Sequence, residues 1–141
     1  MFEKADKDFC AFKKHMNPDK DVIYKLKKFI NILDHYQKSM NLIGKSTRLS
    51  IWERHLLDSA QIEKYLHKEN NKYITIDLGT GAGFPGIVLA ILGRKDLLLC
   101  EKSNKKNLFL KVIAKECNLN VKTFEDKVES LKVSNVKTII S

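Results

Sequence analysis

Apolar residues recur every three or four positions between 21 and 40, at Val22, Ile23, Leu26, Phe29, Ile30, Leu33, Tyr36 and Met40. That spacing predicts one long amphipathic helix with a single buried stripe, and Asn17-Pro18 supplies a break before it. A loop containing Gly44 is expected over 41–47. A second helix follows from Ser50 to about Leu66, with Ser50 and Glu53 at capping-box spacing. Residues 1–66 therefore read as a helical segment, and the polar stretch 67–72 reads as a linker.

Beyond residue 72 the pattern changes. Residues 73–78 are β-branched and aromatic and predict a strand; a glycine loop follows, then a helix over 85–92 closed by Gly93. A second buried strand is expected at 96–100. Ser103 can cap a helix running to about Cys117, with Leu108, Phe109, Val112 and Ile113 inward. Residues 121–124 and 136–140 complete four strands. Alternation of strand and helix at these lengths implies right-handed crossovers and a parallel sheet, the α/β class.

Charge modifies this picture. The formal net charge is +9, and the basic excess is +5 in residues 1–72 and +4 in 73–141. A surplus spread over both halves fits a polyanionic partner such as RNA and equally fits a lysine-rich solvated surface. Three cysteines without Cys-x-x-Cys spacing indicate neither a disulfide framework nor a zinc site, so no metal is expected. No apolar leader precedes Cys10, and the longest apolar run, 87–92, is too short to span a bilayer. These features predict a cytoplasmic protein.

The candidate chemistry lies at Asp77-Leu78-Gly79-Thr80-Gly81-Ala82-Gly83-Phe84-Pro85-Gly86. Gly79 and Gly81 allow a tight turn and clear space for a ligand, while Gly83 lets the next helix pack close to the sheet. Asp77 can order the loop or bind the ligand's amino-acid end. Phe84-Pro85 crowds the helix entrance where a dinucleotide would place its pyrophosphate, which favours S-adenosylmethionine, a ligand with a sulfonium and no phosphate. Glu101, 18 residues after Gly83, can accept both ribose hydroxyls. Lys102, Lys105 and Lys106 could meet RNA phosphates or form a solvated helix face. His55 and Asp58 share a helical face, as a substrate or interface pair or as a satisfied half-buried histidine.

The glycine loop, with Asn41-Leu42-Ile43, His55-Leu56-Leu57-Asp58-Ser59, Phe109-Leu110 and Val128-Glu129, resembles the bacterial small-subunit ribosomal RNA guanine-N7 methyltransferases, also called glucose-inhibited division protein B. The resemblance runs over roughly residues 20–141. It implies a Rossmann-like class I methyltransferase sheet that stops here after about four strands, behind an N-terminal helical segment. It further implies an S-adenosylmethionine cofactor contacted by Gly79 and Phe84, with Val128 and Glu129 beside its adenine and Glu101 on its ribose. The implied partner is 16S ribosomal RNA or the small ribosomal subunit, with no membrane and no DNA. Lys127 stands where the family usually has Arg, and the chain ends at Ser141, within the family's Ser-Arg-Ala run. This ending predicts an incomplete domain over 73–141, an exposed edge at Val136, Ile139 and Ile140, and weak activity. Guanine N7 carries a free lone pair, so no general base is required and no catalytic residue is nominated. The alternatives are a non-catalytic basic RNA-binding fragment or gene remnant, or a methyltransferase of another substrate.

Overall fold

The computed structural model describes residues 2–141; Met1, the first residue of the stretch read as lacking a leader, lies outside the described residues. Helix α1 (Phe2–Met16) ends where Asn17 turns left-handed, at φ 45°, and Asp19 then caps α2 (Lys20–Met40) by accepting from the Val22 amide at 2.8 Å. The predicted stripe is real: Leu26, Phe29 and Leu33 are fully buried. The expected loop over 41–47 contains a short helix, α3 (Lys45–Arg48).

The second predicted helix forms, but not as a regular one. Its middle, Trp52–Leu57, is wound as a π-helix, continued by α4 (Asp58–Gln61) and a 3-10 turn (Ile62–Tyr65). The capping box does not form. The Ser50 amide instead donates to the Thr47 carbonyl, which makes Ser50 part of the turn leaving α3, and Ile51 already has helical angles.

The remaining elements are β1 (Ile74–Leu78), α5 (Gly86–Ile91), β2 (Leu97–Cys100), α6 (Asn104–Glu116), β3 (Lys122–Phe124), a 3-10 turn (Val128–Ser130) and β4 (Val136–Ile140). All pairings are parallel, in the order β3-β2-β1-β4. This is the Rossmann-like α/β arrangement the sequence predicts. Because β1, β2 and β3 step in one direction, right-handed crossovers place α5 and α6 on the same face, and α2 packs on both helices. One core joins the parts: Phe12, Leu26, Phe29 and Leu56 from the helical segment meet Val88, Leu99, Phe109 and Ile113.

On α6 the inward stripe is Asn107, Phe109, Leu110 and Ile113, while Leu108 is 63% exposed. Asn107 takes an inward place because its amide donates to the Glu101 and Ser103 carbonyls, which pins the start of α6 to the end of β2. β4 forms an edge of the described sheet, with Val136 and Ile140 half-buried and Ile139 exposed.

The N-terminal end of the sheet is held by a buried ionic cluster. Arg94 Nε lies 2.7 Å from Asp96, its Nη1 3.0 Å from Glu63, and its Nη2 donates to the His67 carbonyl. His67 in turn lies 3.1 Å from Asp96 and 2.8 Å from the Thr138 hydroxyl. Residues 67–72 are thereby fastened to β4 and to the start of β2.

Candidate functional site

β1 and β4 are neighbours although β2 and β3 intervene in sequence, so the strand order reverses at β1. The carboxyl ends of β1 and β2 beside that reversal are where open α/β sheets bind ligands. The glycine loop leaves β1 there. Gly81 has φ +58°, and a Cβ on it would meet only the Gly79 carbonyl oxygen, at 3.8 Å, on an otherwise open side. Gly86 is the opposite case: a Cβ there would lie 2.2 Å from Leu99 and 2.5 Å from Asp77, so it sets the closeness of α5 to the sheet.

Most of the loop's backbone amides are already committed. Gly79 and Thr80 donate to the Cys100 carbonyl, Gly83 and Phe84 to the Thr80 carbonyl, and Ile87 to the Gly83 carbonyl. Gly81 donates to Glu101 Oε2 at 3.0 Å and Gly86 to Asp77 Oδ2 at 2.7 Å. Asp77 is fully buried under the loop, where it also accepts from the Thr80 hydroxyl at 2.6 Å. Burial pushes its carboxyl up to about 6, against the two hydrogen bonds that favour the charged form.

A cavity of about 620 Å³ opens beside this loop. Leu78 and Gly79 form one wall, Cys100, Glu101 and Lys102 the end of β2, Lys106 the first turn of α6, and residues 126–129 the far side. Its charge is balanced: Glu101, Asp126 and Glu129 face Lys102, Lys106 and Lys127. Glu101 is 8% exposed and spends one bond per oxygen on the protein, Oε2 to Gly81 and Oε1 to the Ser103 amide at 2.9 Å. Each oxygen retains a second lone pair.

Of the residues singled out in the sequence, Gly79, Glu101, Val128 and Glu129 come together around this cavity, and Gly81 touches it through Glu101. Asp77 lies beneath the loop. Phe84 does not line the cavity. It packs between Phe29 and His55, with ring centroids at 5.3 and 4.8 Å, against the helical segment. The sequence reading did not single out Asp126 or Cys100, and it named Gly86 only as the end of the loop motif. Asp126 had a usable signal, being an acid two residues past β3 at the sheet's carboxyl edge.

His55 lies in the π-wound segment, and its Nε2 is 2.9 Å from the Thr47 hydroxyl. That hydroxyl gives its own proton to the Gly44 carbonyl at 3.0 Å, so His55 must be the donor and carries its proton on Nε2. Burial lowers the His55 pKa, and the neighbouring Asp58 carboxylate opposes that shift. Among the described residues no group of three or more His, Cys, Asp or Glu side chains could hold a metal, and no helix is long and apolar enough to cross a membrane.

Comparison with known proteins agrees with this geometry. The profile of a family described as rRNA small subunit methyltransferase G, GidB, matches residues 22–141. Relatives named ribosomal RNA small subunit methyltransferase G include one from Orientia tsutsugamushi strain Ikeda, 33% identical over 135 residues, covering 89% of this chain and 67% of the relative. Another, from Rickettsia prowazekii, is 36% identical over 118 residues, covering 84% of this chain and 61% of the relative. A third, from Rickettsia bellii strain OSU 85-389, is 37% identical over 115 residues, covering 81% and 58%. The chain thus spans about three-fifths to two-thirds of the length of these relatives. With the profile matching most of the chain and the parallel sheet, glycine loop and strand-end acid in place, the chain belongs to the rRNA small subunit methyltransferase G family.

Proposed function

We propose that the cavity beside the glycine loop binds S-adenosylmethionine and that the chain serves methyl transfer to guanine N7 of 16S ribosomal RNA in the cytoplasm. The observation that carries this reading is Glu101, a carboxylate fixed by the Gly81 and Ser103 amides at the mouth of the cavity with lone pairs to spare. Those lone pairs suit the two hydroxyls of a ribose, and Val128, 39% exposed, offers an apolar wall to an adenine. The open side of Gly81 gives the ligand room.

The same features disfavour a dinucleotide. A pyrophosphate needs free amides at a helix entrance. Here the Gly86 amide is taken by the buried Asp77, the Gly83 and Phe84 amides are taken by Thr80, and α5 has only six residues.

When bound, the cofactor would supply a sulfonium-activated methyl group for transfer to the N7 lone pair, with a thioether as the leaving group. Nothing in that exchange requires a protein base, since N7 is unprotonated at neutral pH. The chain's contribution is alignment: Glu101 orients the ribose, and the loop is held in place by its hydrogen bonds to β2 and Asp77. Calorimetry with S-adenosylmethionine, its demethylated product and NAD tests the cofactor. Binding of the first two but not NAD is expected, and binding of NAD alone overturns the reading. Transfer of labelled methyl to N7 of protein-free bacterial 16S rRNA tests the substrate.

A further inference from the structure

A second concave site lies on the helical segment, away from the cofactor cavity. Gln37, Lys38, Ser39, Asn41, Lys45 and Arg48 line a cavity of about 310 Å³ where the last turn of α2 meets α3. Its walls carry three cations and no carboxylate. Lys38, Lys45 and Arg48 are exposed. The nearest acid is Asp34, whose Oδ1 accepts from Arg48 Nε and lies 2.8 Å from its Nη2. That contact fixes the plane of the guanidinium and leaves Nη1 for a ligand, and the cluster keeps a net charge of two.

The walls are braced by hydrogen bonds within the chain. The Gln37 amide donates to the Ile43 carbonyl at 2.8 Å and accepts from the Ile43 amide at 2.9 Å, which holds the 41–44 turn against α2. α3 is held in turn through Thr47, which meets His55, whose ring faces Phe84 of the glycine loop. α3, which carries Lys45 and Arg48 of the cavity, and the glycine loop are therefore joined by two consecutive side-chain contacts.

Two ammonium groups, the Nη1 of one oriented guanidinium and the Asn41 side-chain NH2 make a set that recognises phosphate oxygens, while the Ser39 hydroxyl is spent on the Tyr36 carbonyl and the Gln37 amide on Ile43 and Asn41. We propose that this cavity is a subsite for a backbone phosphate of RNA, holding the strand at a fixed place relative to the cofactor loop. The proposal rests on the reading that the chain handles ribosomal RNA, and it adds a second point of attachment that the cofactor cavity does not provide.

The test is the salt dependence of binding to protein-free bacterial small-subunit rRNA, measured on the full chain and on Lys38→Gln/Lys45→Gln. Both lysines are exposed, so the variant should melt like the parent. Each neutralised phosphate contributes about 0.7–0.9 to the slope of log affinity against log salt, so the double variant, which gives up one phosphate, should lose about 0.7–0.9 from that slope and at least tenfold in affinity at low salt. Lys64→Gln/Lys68→Gln removes the same charge at the opposite end of the sheet and should leave the slope unchanged. S-adenosylmethionine affinity should be the same in all three proteins. An unchanged slope in the first variant, or an equal loss in the second, overturns the proposal. Competition by millimolar inorganic phosphate as effective as RNA itself would assign the cavity to a free anion and also overturn it. If the parent binds no S-adenosylmethionine yet the lysine effect persists, the cofactor reading fails and the phosphate subsite stands.

Discussion

Replacing Asp77 with Asn should stabilise the protein, although Asp77 accepts two hydrogen bonds. The carboxylate is fully buried; Oδ2 accepts from Thr80 and Gly86, while Oδ1 is buried without a partner among the described residues. Asn can present its carbonyl oxygen to both donors and place its amide where Oδ1 lies, removing the charge and keeping the geometry. The magnitude follows from linkage. The folded carboxyl titrates near 6 instead of 3.8, so the folded state binds a proton that the unfolded chain has already released. Stability at this group is therefore full below pH 4, is lost as pH rises from about 4 to 6, and stays lost above that. At about 1.4 kcal/mol per pH unit the loss is about 3 kcal/mol. Urea denaturation of parent and Asp77→Asn across this pH range should show an advantage for the variant that grows between pH 4 and 6 and is level from pH 7 to 8. A variant less stable than the parent at pH 8, or a difference that does not change with pH, would refute the argument, because it would mean that the two hydrogen bonds outweigh the buried charge.

Gly81→Val should abolish S-adenosylmethionine binding in calorimetry, since the added side chain enters the open space beside Glu101, and should also cost about 1–2 kcal/mol of stability, because a β-branched residue is strained at φ +58°. Glu101→Gln should weaken that binding at least tenfold, because one of its two oxygens becomes a donor facing a backbone amide. Gly86→Ala should lower stability by about 1–3 kcal/mol in denaturant titrations, as its methyl would overlap Leu99. Arg94→Leu removes the guanidinium from Asp96, whose side chain is 4% exposed and is left with His67 and the Thr75 hydroxyl, and should cost about 3 kcal/mol in the same titrations with S-adenosylmethionine affinity unchanged.

The sheet was legible because its signals are local. Runs such as Leu97-Leu98-Leu99 between turn residues report a buried parallel strand without knowledge of its neighbours, and Ser103 caps α6 as expected, accepting from the Lys106 amide. What failed depended on partners distant in sequence. Leu108 has the hydrophobicity of a core residue, but the inward place on α6 went to Asn107, whose amide is satisfied by the end of β2. Phe84 reads as a ligand wall from its place in the loop, yet the aromatic surface it meets is Phe29 and His55, from two separate helices. The π-wound turn at Trp52–Leu57 has no sequence signature in its own residues.

These distant contacts explain why the helical segment and the glycine loop act as one unit. Phe84 turns its ring away from the cofactor cavity and into contact with the π-wound segment, so a displacement of that segment reaches the loop through van der Waals contact. The loop's amides, by contrast, are bound to Cys100, Glu101, Asp77 and the loop's own carbonyls, all within the α/β part. The loop is thus shaped by the sheet and meets the helices through the Phe84 ring. Phe84→Ala should separate the two roles. It should leave S-adenosylmethionine affinity within a few-fold of the parent, because every amide bond of the loop remains. It should also lower stability by about 3–5 kcal/mol, through the cavity left between Phe29 and His55. Loss of cofactor binding in a variant that is still folded would show that Phe84 contacts the ligand directly and that its packing on the helices is secondary.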